Sequence, residues 1–293
     1  MRDARLAAFR PDLADERLKG EVEAARFVPG RAAWVAAPVL DLKRRPSAEA
    51  GLDTQLLMGM EVAVFEEKDG WAWLQSRHDG YVGYAATASL SYEARAATHV
   101  VRTPRTFSYP GPDLRLPRRA ELSMGSAVAV SGETETRGTA YTLTPEGDAL
   151  VAAHLRPLDA HDADYVSVAE AFVNTPYLWG GASGFGIDCS GLVQLAMRMT
   201  GRSVLRDTDM QERTVGEPVD PGDGLRRGDL VFWKGHVAIM TDGRNMIHAN
   251  GHTMMVSYEP LVEAIERIGY LYGQPTSYRR PLTRSFRQLP AVV

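Results

Sequence analysis

Residues 186–201 read GIDCSGLVQLAMRMTG, and they hold Cys189, the single cysteine of the chain. A free cysteine usually packs as a small hydrophobe, so its plain reading is a core residue. The neighbours point elsewhere. Asp188 has the chemistry of a helix N-cap, and Leu192, Val193, Leu195, Ala196 and Met199 form the apolar stripe of a helix behind it. Gly201 follows as the stop. Cys189 therefore falls in the first turn of a helix, behind a loop carrying Gly180, Gly181, Gly184 and Gly186. Unpaired backbone N–H groups and the helix dipole favour an anion there, which lowers a thiol's pKa. A nucleophilic thiol also needs a histidine as its base.

Working outward, residues 162–181 (DADYVSVAEAFVNTPYLWGG) place Val166, Ala169, Phe172 and Val173 at helical spacing and break before Pro176. Downstream, residues 226–251 (RRGDLVFWKGHVAIMTDGRNMIHANG) read as strands DLVFW, HVAIM and NMIHA, with a turn at Asp242-Gly243. His236 and His248 are symmetric about Asp242. An odd-length loop centred there sets them opposite one another, whereas a two-residue Asp-Gly loop pairs His236 with Ala249. As base and orienting partner the two histidines suit a catalytic triad. Of the other histidines, His78, His99 and His154 fall among short strands and His161 in a linker, and all four read as solvated or turn residues. Zinc on His236, His248, His252 and a carboxylate is the competing reading. His248 and His252 are four apart, but the sequence between them holds Gly251 and strand-like flanks, so no metal and no cofactor are expected.

The first half is different in texture. Residues 61–86 (EVAVFEEKDGWAWLQSRHDGYVGYAA) alternate in period two and turn at Asp69-Gly70 and Asp79-Gly80, the pattern of antiparallel hairpins. A second copy follows. Met58-Gly59 and Val62-Ala63-Val64 recur as Met124-Gly125 and Val128-Ala129-Val130, an offset of 66 (124 minus 58). Leu90 closes the first copy and Leu155 the second, while Val35 and Pro46 echo Val101 and Pro110. Two units of about 65 residues, each of several short strands, predict a tandem of small barrels. The expected organisation is a helical lead-in over 1–30, barrels over 31–95 and 96–158, and a third domain over 159–293.

A chain of 293 residues suits two or three domains. A net charge of −4 gives no basic field for nucleic acid or an anionic membrane. One cysteine excludes an intrachain disulfide framework and fits a reducing compartment. The first twenty residues break every apolar run with charge or proline, and no stretch reaches the roughly 18 apolar residues of a membrane span. The expectation is a cytoplasmic protein without a membrane span or nucleic-acid partner.

YLWGGASGFGIDCSGLVQ, RRGDLVFW with GHVAIM, and MIHANG together resemble the NlpC-type cell-wall peptidases, which are papain-like cysteine hydrolases with an α+β domain. Gly80-Tyr81-Val82 resembles the closing strand of bacterial SH3-like domains. The whole arrangement resembles the γ-D-glutamyl-L-diamino acid endopeptidases, which cut murein peptides after D-glutamate when the preceding L-alanine is free. The resemblance implies Cys189 as nucleophile, His236 as base and His248 as third polar residue. It implies substrate or oxyanion contacts for Tyr177, and a grip on the substrate's α-amino group for Asp188 and Ser190. Arg206 and Asp207, in LRDTDMQ, are implied contacts for the D-glutamyl carboxylate or the diamino acid. Tyr81, with Glu49 or Asp53 from the first barrel, is implied to complete the amino-group pocket. The expected chemistry is amide hydrolysis through a Cys189 thiolate. Rival readings are an amidase or acyltransferase on the same scaffold, and a non-catalytic wall-binding protein.

Overall fold

The computed structural model describes residues 2–94 and 96–282, and the chain divides into two units between Ala160 and His161. Residues 1, 95 and 283–293, which the expected boundaries include, lie outside the described residues. Among the described residues no helix is long and apolar enough to cross a membrane.

The first unit holds both barrels. In the first, seven strands form one sheet; Arg31–Val35 lies between Glu61–Lys68 and Leu90–Ser91. Lys68 pairs with Trp71, so Asp69-Gly70 is a two-residue turn, and both residues have positive φ (51° and 82°) as a type I′ hairpin requires. The second barrel repeats the plan: His99–Val101 lies between Ala127–Val128 and Leu155–Pro157. The repeat extends to single backbone bonds. Gly59 donates to Val35 O and Gly125 to Val101 O, each at 2.9 Å. The copies diverge after the Val62-Ala63-Val64 stretch. The first carries a bulge between Val64 and Glu66, and the second breaks there, with Gly132 opening a separate strand (Gly132–Thr136), so its strands split into sheets of three and five.

The two barrels are not independent bodies, because Ala127 N donates to Met58 O at 2.8 Å. Nor is residues 1–30 an α-helix. Ala14–Asp15 pairs in parallel with Phe27–Val28, with only a 3-10 turn, Glu16–Leu18, close behind the first strand. Charges at helix-like spacing misled the reading. Asp15 folds back to accept from Arg17 N at 3.0 Å, Gly20 takes φ 88°, and Leu13 is buried with Ala63, Phe65 and Trp73 of the first barrel.

The second unit is the α+β domain. Its helices are α1 (Tyr165–Glu170), α2 (Cys189–Met199), α3 (Thr208–Thr214) and α4 (Leu261–Tyr272). Its antiparallel sheet runs in the order Glu217–Pro218, Ser277–Arg280, Leu230–Trp233, His236–Met240, Asn245–Asn250, Met255–Pro260. One face packs Val231, Trp233, Ala238, Met240 and Met246 against Leu261, Ala264 and Ile268 of α4. The α2 stripe read from the sequence is buried along its length.

Gly59 and Gly70 separate backbone strain from packing. Both have φ 82°, but a Cβ at Gly59 meets Ala127 O at 2.4 Å while one at Gly70 meets nothing within 4 Å. Gly70→Ala is expected to cost about 1 kcal/mol of strain, and Gly59→Ala clearly more. Urea denaturation of the two variants decides it; equal losses refute the close packing of the barrels.

Candidate active site

Asp188 is the N-cap of α2, accepting from Gly191 N at 2.7 Å. It does more than cap. Its Oδ2 accepts from Gly180 N at 2.9 Å, and Arg206 clamps both oxygens, Nη1 to Oδ1 at 2.9 Å and Nη2 to Oδ2 at 2.7 Å. Ser190 Oγ donates to Asp188 Oδ1 (3.3 Å) and accepts from Arg206 Nη1 (2.8 Å), while Arg206 Nη2 also reaches Gly181 O (3.2 Å). Arg206 is only 1% exposed. The three residues expected to meet the substrate thus form one buried network with each other. Arg206 is committed to Asp188 rather than held toward solvent, and both Asp188 oxygens are already engaged. Asp207 stands at the N-cap position of α3, its carbonyl accepting from Met210 and Gln211. In the other unit, Tyr81 is buried with its N–H on Asp79, Asp53 pairs with Arg44 at 2.7 Å, and the Glu49 N–H bonds Ser47 Oγ.

The network fixes where the thiol sits. Gly191 allows the loop to lie against α2, since a Cβ there meets Gly181 O at 2.4 Å. Cys189 is 6% exposed, with Thr208 Oγ1 3.9 Å from its sulfur and the Val237 backbone N–H turned toward it. Val237 follows His236, so the strand His236–Met240 abuts the thiol. Burial and the Asp188 charge push the Cys189 thiol up to about 11, against the opposing pull of the Val237 N–H, the Thr208 hydroxyl and Arg206. Desolvation and the Asp188 charge thus act against the thiolate that the helix terminus favours.

His236 Nε2 and His248 Nδ1 are 2.9 Å apart. Neither hairpin geometry considered from the sequence is the one formed. Ile239 pairs with Ile247 and Met240 with Met246, which centres the hairpin on Gly243. Asp242 shapes that turn, its carboxylate accepting from Arg244 N, Asn245 N and Asn245 Nδ2. Continued by one step, the register sets His248 across from Ala238, so His236 is its diagonal neighbour on the same face. Desolvation, with the neighbouring His248 and Arg267, pushes His236 well below the ordinary histidine value.

Two residues of this cluster escaped the sequence reading. Glu259 Oε2 lies 3.1 Å from His248 Nε2, and Arg267 of α4 donates to Glu259 from Nε (2.8 Å) and Nη2 (2.6 Å). Tyr177, half-buried, bonds Met254 O through its N–H, and its phenol is held protonated by burial and by Cys189 and Asp188. Among the described residues no group of three His, Cys, Asp or Glu side chains is placed to hold a metal.

Residues 42–90 match the model of the bacterial dipeptidyl-peptidase SH3 domain, and residues 174–267 that of the NlpC/P60 family. A γ-D-glutamyl-L-lysine dipeptidyl-peptidase of Bacillus cereus is 28% identical over 260 residues, 78% of this chain and 76% of the relative. A probable endopeptidase of Corynebacterium glutamicum is 31% identical over 184 residues, 57% of this chain and 79% of the relative. The crystal structure of an NlpC/P60 family protein from Bacillus cereus shares the fold, with a TM-score of 0.71 at 24% identity over 86% of this chain and 99% of that one. The papain-like fold, with SH3-like barrels before it, defines a cysteine peptidase. The chain belongs to the NlpC/P60 family.

Two outcomes follow from the site's electrostatics. Arg206→Met leaves the Asp188 charge without its clamp and is expected to cost about 3–5 kcal/mol in urea denaturation; a loss under 1 kcal/mol refutes the network. The second concerns pH. Between the ordinary cysteine value of 9.0 and about 11, the unfolded chain has released a proton that folded Cys189 keeps. Stability therefore falls as pH rises through that window. Cys189→Ser does not ionise there, so its denaturation midpoint is expected to fall less than that of the native protein between pH 9 and 10.5.

Proposed function

We propose that this peptidase hydrolyses the γ-D-glutamyl bond to an L-diamino acid in murein peptides. The observation that carries the reading is Cys189 at the start of α2, beside the strand that bears the hydrogen-bonded His236–His248 pair. The name of the Bacillus cereus relative supports the bond, and its designation as a dipeptidyl-peptidase supports substrates with a free amino terminus, here L-alanine. Free peptides of this kind arise in cell-wall turnover, so peptide recycling is the proposed role.

His236 takes the proton from Cys189 as sulfur attacks the γ-carbonyl carbon of D-glutamate. The Cys189 N–H, at the first helical position with no intrahelical acceptor, and the protonated Tyr177 phenol are proposed to face the oxyanion. Loss of one such donor typically costs about 10²–10³ in rate. His236 then protonates the leaving amine, and water activated by the same imidazole releases the acyl group from sulfur. His248 holds His236 in orientation throughout. Since Asp188 is already saturated, its part in recognising an ammonium is to supply buried charge shared with Arg206, not a vacant acceptor.

The test is a mass-spectrometric assay of L-Ala-γ-D-Glu-L-Lys, its diaminopimelate counterpart, their N-acetylated forms and intact sacculi. Release of L-Ala-D-Glu from the free peptides, loss of that release in Cys189→Ala, and resistance of the acetylated peptides and sacculi are expected. Cleavage by Cys189→Ala overturns the nucleophile. Equal cleavage of acetylated peptides overturns the free-terminus requirement.

A further inference from the structure

His236, His248 and Glu259 stand on three neighbouring strands, and each is the diagonal neighbour of the next. His248 pairs directly with Ser257, so Glu259 lies two residues further along on the same face. His236 lies two residues short of Ala238, the position across from His248. The three side chains therefore run in one oblique line over the face that α4 covers, and Arg267 of α4 meets its end.

We propose that Glu259, held by Arg267, is a positioning residue that sets the tautomer of both histidines and so leaves Nδ1 of His236 as the basic nitrogen. The inference rests on the reading of His236 as base to Cys189. Glu259 is ionised: burial alone raises a carboxyl, but the Arg267 and His248 contacts overcome it and hold Glu259 down to about 2. An ionised carboxylate only accepts. Its Oε2 sits 3.1 Å from His248 Nε2, within ion-pair distance, and that buried nitrogen has no hydrogen-bond partner among the described residues. A lone pair at Nε2 directed near that charge is repelled, so Nε2 carries the proton. Burial keeps His248 neutral, against the opposing pull of Glu259 and with added push from Arg267 and His252, so it has one proton only. His248 Nδ1 is then an acceptor. The proton in the 2.9 Å contact belongs to His236 Nε2, which donates, and His236 Nδ1 keeps its lone pair.

The experiment reads the tautomers directly by ¹⁵N NMR of the histidine rings in the full chain at pH 7.5, beside kcat and KM. Native protein is expected to show both His236 and His248 protonated at Nε2. Glu259→Ala is expected to mix the tautomers and lower kcat about 10–100-fold with KM within about twofold, the usual scale for a residue acting through another. Glu259→Gln removes the charge and sets an amide NH2 against one of the two Arg267 donors, so it is expected to mix the tautomers and lower kcat as Glu259→Ala does. His248 protonated at Nδ1 in the native protein overturns the proposal, and so do native tautomers in Glu259→Ala. Should Glu259→Ala not fold, the native spectrum alone decides. The spectra need no substrate, so a wrong assignment of the scissile bond leaves this result standing.

Discussion

A carboxylate and a guanidinium buried together at the start of one helix set the geometry of everything around them. Asp188 and Arg206 are 18 positions apart, yet their two-point contact ties the glycine-rich loop, the first turn of α2 and the approach to α3 into a single piece. Taking two charges out of water is costly, and the arrangement holds because every oxygen of Asp188 has donors from Gly180, Gly191, Ser190 or Arg206. Gln211 extends the same piece by bonding Ser190 O and Leu205 O at 2.9 Å each. The thiol is placed by this network before any substrate arrives.

That placement has an electrostatic consequence. The helix terminus favours a thiolate, but the capping carboxylate that makes the terminus possible disfavours one, and burial weighs on the same side. Placement and activation are thus in partial conflict at Cys189. The same burial disfavours a charge on the neighbouring His236 imidazole.

The sequence revealed features that depend on near neighbours. Asp188 before an apolar stripe, Gly201 after it, and Asp69-Gly70 between alternating strands all act within a few residues, and each is present in the structure. The repeat was legible because Met58-Gly59 and Val62-Ala63-Val64 recur at one offset as Met124-Gly125 and Val128-Ala129-Val130. The failures share a different cause. Glu259 and Arg267 meet His248 only through a strand register set by how Asp242 closes its turn, and through a helix crossing that strand pattern does not encode. The pairing of Arg206 with Asp188 was not legible either, because the two lie 18 positions apart. The segment around Leu13 to Phe27 has helical spacing but folds into two short paired strands joined by turns, because pairing between Ala14–Asp15 and Phe27–Val28 and burial of Leu13 outweigh local preference.

The oblique line of side chains across the sheet also restricts where the chain can change length. Successive residues of a strand point to opposite faces, so one residue added inside Asn245–Asn250 ahead of His248 carries that ring away from both of its neighbours. The turns at Asp242–Arg244 and Gly251–Met254 fix the register on either side of that strand, so a residue added to either also slides His248 past its partners. Tolerance to insertion in this domain is therefore set by the parity of its strands and the length of these two turns rather than by distance from the thiol.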